Sequence, residues 1–205
     1  MLKTDFIDIH THTEKSGENL LQIINLNLES LCPEQGYYSY GIHPWALDNT
    51  DFQEEEVFSL LKERLKSPNV LALGEAGLDK FHADFDRQIK VFERQIVLSE
   101  NMQKPMILHG FNGTMQDARQ LIGQGIYLSA GESLLHPERK IYKTLKSLDL
   151  DYLFLETDMA EIGIEKVYDA AAKALDLDMD ALKLRMMDNF MRVFKANFDS
   201  TFQLS

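Results

Sequence analysis

Short apolar runs alternate with amphipathic helical stretches along this chain, and that alternation restricts the fold more than any other feature of the sequence. The runs fall at 5–12, about 20–28, 37–43, 70–75, 105–109, 125–129 and 151–156. Their apolar density predicts strands buried on both faces, as in a parallel sheet. Helices are predicted between them. Thr50 and Gln53 make a candidate capping box for a helix over about 51–66, with Pro68 beyond its end. Phe85, Ile89, Phe92 and Ile96 recur at helical spacing within 84–102. Thr114 is placed to cap a short helix stopping near Gly123 and Gly125. Pro137 suits the first turn of a helix running to about 147. Two further helices, over about 163–175 and 179–197, close the pattern. Leu182, Met186, Phe190 and Val193 stripe the last one, where the Met186–Met187 pair reads as core filling. Strands alternating with helices imply βαβ units and an α/β fold. The connection from about 28 to 37 is too short for a full helix, so that unit is expected to be irregular.

The chemistry begins in the first run, Asp5-Phe6-Ile7-Asp8-Ile9-His10-Thr11-His12. On a strand, Phe6, Asp8, His10 and His12 share one face, and Ile7, Ile9 and Thr11 the other. Two imidazoles at i and i+2 on one face can share a metal ion, and Asp8 can orient or hydrogen-bond a ligand from one step behind. Other chemical residues fall where later strands end. Tyr40-Gly41-Ile42-His43-Pro44-Trp45 ends the third run and Gly74-Glu75-Ala76-Gly77-Leu78-Asp79 the fourth. His109-Gly110-Phe111-Asn112-Gly113 follows the fifth, and Leu155-Glu156-Thr157-Asp158 ends the last. In a barrel of parallel strands these ends share one rim, where such folds place their chemistry. Imidazoles and carboxylates converging there would hold a divalent ion. His82 and His136 read as surface residues, and Asp84 and Asp86 as helix-start charges.

Composition narrows the function. The 205 residues suffice for one large domain with a real core, and no linker, repeat or low-complexity segment divides them. The formal net charge of -12 argues against a protein that coats duplex DNA through its general field. It leaves room for a nucleic-acid enzyme whose site is made positive by bound cations. The lone Cys32 forms no internal disulfide, the first residues carry no apolar leader, and no apolar run approaches the ~18 residues of a membrane span. A cytoplasmic protein is expected.

The motifs Asp8-Ile9-His10-Thr11-His12, Gly41-Ile42-His43-Pro44-Trp45, Gly74-Glu75-Ala76-Gly77-Leu78-Asp79, His109-Gly110-Phe111-Asn112-Gly113 and Leu155-Glu156-Thr157-Asp158 together resemble the TatD family of metal-dependent hydrolases. Asp188 to Phe194 resembles that family's closing helix, so the resemblance runs from about residue 5 to 195. It implies a deformed TIM-type parallel barrel with one or two divalent ions such as Zn, Mn or Mg, and a hydrolase, often a deoxyribonuclease. His10, His12, Glu75 and Asp158 would hold the first ion, and Glu75 would bridge to a second at His109. Asp158, Glu75 and His43 would be the catalytic residues. A metal-activated water would attack, Asp158 would orient it and take its proton, and His43 would contact the oxyanion or leaving group.

The chain departs from the family in one respect. Members usually carry two strand-end histidines in successive β/α units, and here there is one. Lys104-Pro105 resembles the lead-in to the first such strand, and Phe111-Asn112-Gly113-Thr114 the exit from the second. A β/α unit of roughly 25–30 residues is missing between them. Seven strands rather than eight are expected, with one tight ion and a weaker second; Glu132 is a candidate replacement ligand. Lys15, Lys80, Arg87, Arg139 and Lys140 lie near the expected rim, where phosphates would meet them. The expected substrate is DNA, at ends or in short single strands. The alternatives are a small ester, amide or phosphoester, or a degenerate metal-binding barrel without activity.

Overall fold

The computed structural model describes residues 5–17, 19–82 and 84–194. Among them are seven strands: β1 (Phe6–Thr11), β2 (Leu20–Asn25), β3 (Tyr37–Tyr40), β4 (Val70–Leu73), β5 (Ile107–Leu108), β6 (Tyr127–Ala130) and β7 (Leu153–Leu155). The α-helices are α1 (Glu54–Arg64), α2 (Phe85–Met102), α3 (Met115–Gly123), α4 (Lys140–Thr144), α5 (Ile164–Leu175) and α6 (Met179–Phe194). All seven expected strands form, each shorter than its apolar run. The chain divides into two compact units, one from its two ends (Met1–Ile24 with His109–Ser205) and one from the middle (Asn25–Leu108).

In the first unit β1 pairs in parallel with β2, and β6 with β7. A parallel bridge between Thr11 and Asp158 brings the end of β1 to the end of β7. From Ile7 to Thr11 every residue of β1 is buried, so the strand is covered on both faces as its composition predicts. Helices α5 and α6 supply the cover, with Val167, Tyr168, Ala171, Leu182, Met186, Phe190 and Phe194 all fully buried. The Val, Leu, Met and Phe side chains among them each contribute on the order of 1.5–3 kcal/mol on leaving water. Met186 is therefore core, as its spacing indicates. The last residues of the expected 179–197 helix, 195–197, lie outside the described residues.

Two boundaries differ from expectation. Pro137 does not open a helix. Glu132–Leu135 forms a short 3-10 turn, and α4 starts only at Lys140 before passing into a second 3-10 turn at Leu145–Ser147. Thr114 does cap α3, in a reciprocal capping box with Asp117.

In the second unit β3 pairs in parallel with β4, and Leu73 of β4 bridges to Met106 beside β5. The Thr50–Gln53 capping box is absent: Gln53 itself is the N-cap of α1 and makes no side-chain cap bond. Three glutamates in the first turn and Lys62 and Arg64 in the last suit the helix dipole instead. Arg94 of α2 reaches Glu54 and Glu55 of α1 and covers the Phe58 ring at 4.0 Å. Two buried glutamines of α2 fasten the loops that leave the strands. Gln95 donates to the Ile42 carbonyl (3.0 Å) and accepts from its N–H (2.7 Å), and Gln88 does the same for Asp79 (3.1 and 2.8 Å).

Candidate metal centre

In the first unit His10 sits on β1 and His12 just past its end. The Thr11 hydroxyl bridges the carbonyls of Thr13 (3.0 Å) and Asp158 (3.3 Å), and the Asp158 N–H donates to the His10 carbonyl (2.9 Å). These bonds lock the two strand ends together. Asp158 lies in the left-handed region (φ 52°), which aspartate tolerates better than most residues. Its Oδ1 stands 3.5 Å from His10 Nε2 and 3.3 Å from His12 Nε2.

These distances suit a metal. Two ligands each about 2.0–2.1 Å from a tetrahedral ion lie about 3.3–3.4 Å apart. Ligand atoms of His10, His12 and Asp158 all fall within 4.8 Å of one another. His10 Nε2 is buried without a hydrogen bond, a cost that a coordinated ion would remove. Burial raises the Asp158 pKa, but the contacts with His10 and His12 outweigh it and hold the carboxyl well below its usual range. The group is an anion, as a ligand must be.

Behind this trio stand two buried carboxylates. Asp8 accepts from the Thr157 N–H (3.0 Å) and hydroxyl (2.6 Å). It therefore ties β1 to the end of β7 rather than orienting an imidazole, the role its strand position suggests. Burial, with a smaller contribution from the Glu156 charge, lifts its pKa to about 6 despite those bonds. Glu156 is 1% exposed; its Oε1 accepts from the Gly110 N–H (2.6 Å) and its Oε2 has no hydrogen bond. Sequence reasoning passed over Glu156 as part of a motif; the signal available was an acid inside an otherwise apolar strand end. A Cβ at Gly131 would lie 3.0 Å from Glu156 Cγ, a close approach that would press on the buried carboxylate.

His109 belongs to this unit too. Its ring stacks on His10 at 4.4 Å, and its Nδ1 lies 3.9 Å from Glu156 Oε1. A cavity of about 290 Å³ opens beside Glu156 and Asp158, and exposed Glu132 lies on its wall. Lys15 is engaged, donating to the Ala160 carbonyl (2.9 Å).

The second unit carries His43 and Glu75. His43 caps the 3-10 helix Pro44–Asp48, its Nδ1 accepting the Trp45 N–H (3.2 Å). A neutral ring then holds its proton on Nε2, which lies 3.5 Å from Glu75 Oε1. The Glu75 N–H donates to Asn25 Oδ1 (2.9 Å), and the carboxylate is mostly buried. Gly41 makes this arrangement possible, since a Cβ there would fall 2.3 Å from the Glu75 carbonyl oxygen. His82 is partly exposed, as its surface reading has it, and is also engaged there: its Nδ1 lies 2.5 Å from Asp48 Oδ2 and its ring stacks on Trp45. His136 is exposed, as expected. Arg87 packs over the Phe52 ring.

Comparisons with known proteins agree. The family described as TatD related DNase matches residues 7–110 and 105–203. The two matched segments share 105–110, the stretch where the sequence reads as a fusion across a missing β/α unit. A metal-dependent hydrolase of Methanocaldococcus jannaschii, uncharacterised, is 24% identical over 191 residues, covering 78% of this chain and 76% of that protein. A putative deoxyribonuclease of Danio rerio, tatdn3, is 23% identical over 206 residues, covering 80% and 77%. The crystal structure of the TatD homologue YjjV of Escherichia coli K12 has a TM-score of 0.77 at 20% identity, covering 93% of this chain and 98% of that one. The fold is thus the TIM-type α/β fold of that structure, with seven strands among the described residues. By the family match along nearly its whole length, with histidine and aspartate ligands gathered as a metal needs them, the chain belongs to the TatD family of metal-dependent hydrolases.

Proposed function

We propose that this hydrolase cleaves phosphodiester bonds of DNA, at ends or in short single strands. The observation that carries the reading is the convergence of His10, His12 and Asp158 in one unit, with ligand spacing suited to a divalent ion. The deoxyribonuclease name of the Danio rerio relative supports the substrate class. These three residues hold the tight ion, with Glu75 assigned as a further ligand by the family resemblance. His109 serves a weaker second ion. Zn, Mn and Mg are the candidates. A divalent ion there supplies positive charge that eases ionisation of water and offsets charge on phosphoryl oxygens. One Asp158 oxygen faces both imidazoles; the carboxylate orients the attacking water and takes its proton. His43, with its proton on Nε2, contacts the oxyanion or the leaving oxygen by a hydrogen bond. Glu75 keeps that imidazole in register.

We read the two units as parts of a single domain, since the family match covers both. No helix among the described residues is long and apolar enough to cross a membrane. The free Cys32 supports a reducing, cytoplasmic setting. The net charge of -12 favours, as a second reading, a small phosphoester substrate.

Metal analysis of protein purified without chelator, followed by calorimetric titration of the apo-protein, tests the metal assignment. One tight equivalent is expected, with a second only at raised metal concentration. Hydrolysis of single-stranded oligonucleotides is then assayed beside a small-ester panel with Mn, Mg or Zn. Two tight sites of equal affinity would refute the ligand assignment. Turnover of small esters alone would select the second reading.

A further inference from the structure

Trp45 is the only tryptophan of the chain, and it is 56% exposed although three side chains hold it in place. Its indole N–H donates to Asp79 Oδ2 (2.9 Å). His82 stacks on it at 4.9 Å with the planes 26° apart, and the His43 ring meets it edge-on at 4.9 Å. Its backbone N–H is bound by His43 Nδ1. The holders are themselves fixed. His82 is bonded to Asp48, and the Asp79 N–H and C=O are clamped by buried Gln88. Burial of the indole cannot explain this, because more than half of it faces water. What the contacts achieve is a fixed aromatic surface beside the candidate catalytic His43.

Its surroundings add aromatic surface and positive charge. The other Asp79 oxygen accepts the Phe81 N–H (2.9 Å), so the same carboxylate positions Phe81, which is 86% exposed. The Lys80 ammonium lies 5.1 Å from the Phe81 ring centroid. In a chain of net charge -12, this loop sets a cation among exposed aromatics. Surfaces that bind single strands combine these two elements: rings for the bases, cations for the backbone.

We propose that Trp45 is a stacking platform for an unpaired nucleobase of the substrate, seating the nucleotide whose phosphate is presented to His43. The inference rests on the phosphodiesterase reading and narrows it to single-stranded or frayed ends, since a paired internal base offers no free face. His82, Asp79 and Asp48 are positioning residues that keep the indole in place. Stacking of one base accounts for ~1–3 kcal/mol, or about 5- to 150-fold in affinity.

The single tryptophan makes the test direct. Metal-loaded protein is titrated with a phosphorothioate-linked oligothymidylate and with an abasic strand of the same charge, following tryptophan emission. Quenching by the base-bearing strand, and markedly less by the abasic one, is expected. Equal quenching by both, or none at concentrations that saturate the enzyme, overturns the proposal. In kinetics, Trp45→Ala should raise KM for the oligonucleotide about 5- to 150-fold. The effect on an abasic strand of the same length, which carries no aromatic ring, should be at least about five-fold smaller, and Trp45→Phe should recover most of the loss. Equal losses on both substrates would mean that Trp45 supports His43 and not a base. If neither substrate is turned over, the phosphodiesterase reading fails, while the emission titration still decides whether a base stacks on Trp45.

Discussion

Changing Tyr168 to phenylalanine removes one oxygen and keeps the ring. That oxygen serves the backbone of β1 at Ile7: it donates to the Ile7 carbonyl (3.1 Å) and accepts the Ile7 N–H (3.0 Å). Tyr168 and Ile7 are both fully buried. Burial also raises the phenol pKa well above its usual value, so the group stays protonated and able to donate. The strand needs this help because its ladder to β7 is a single bridge, at Thr11–Asp158, among the described residues. The edge contact of the ring with Phe6, at 5.1 Å, survives the substitution. What is lost is satisfaction of two buried backbone groups, each costing about 1–3 kcal/mol when stranded. Tyr168→Phe should therefore lower stability by about 2–6 kcal/mol. In urea this moves the midpoint down by about 1–2 M, and Tm falls by about 5–15 °C. The m-value should stay constant, since the surface exposed on unfolding is the same. A midpoint shift under about 0.3 M would refute the reasoning, showing that water or strand β7 takes over the Ile7 groups.

Other outcomes follow from the same geometry. His10→Ala and Asp158→Ala should each remove most bound divalent ion and any hydrolysis while leaving the circular dichroism of the apo-protein unchanged; unaltered metal content in both would end the assignment. Glu75→Gln keeps the shape and removes the charge, so kcat should fall about 100-fold with little change in the urea midpoint. In metal-free protein Asp8 holds its proton up to about pH 6 when folded but releases it near 3.8 when unfolded. The native state thus binds more protons in that window, and the Asp8 contribution to stability falls as pH rises through it, by about 3 kcal/mol. Measured as wild type against Asp8→Asn from pH 4 to 7, a difference that stays constant would contradict this. Gly41→Ala drives a methyl onto the Glu75 backbone and should cost about 1–3 kcal/mol together with activity; a variant of normal stability would show that the loop can give way.

Much of this was readable from residue patterns, for reasons that can be named. The alternation in β1 and the helical spacing of Phe85, Ile89, Phe92 and Ile96 are local periodicities, and both elements form where those periods lie. The His10–His12–Asp158 trio was legible because strand ends of a parallel α/β fold collect on one side, whatever their distance in sequence. Pro137 misled because a fixed φ suits a loop as well as a first helical turn. Thr50 misled because α1 starts after Gln53 and draws on its own glutamates. The partners of Asp8, Glu156, Trp45 and His82 are tertiary, reached across 34 to 149 positions, and no local pattern encodes them.

The unit that holds the trio is made from the two ends of the chain. Asp8 and its partner Thr157 are 149 positions apart, and Ile7 and Tyr168 are 161 apart. At a synthesis rate of about 5–20 residues per second, β1 leaves the ribosome roughly 8–30 s before either partner exists. Throughout that time it is an apolar strand carrying two loose imidazoles and no Asp158. Assembly of the trio consequently waits until residue 158 has been made. A ribosome stalled anywhere before residue 158 releases a product that lacks one of the three ligands and leaves β1 open to pairing with other chains.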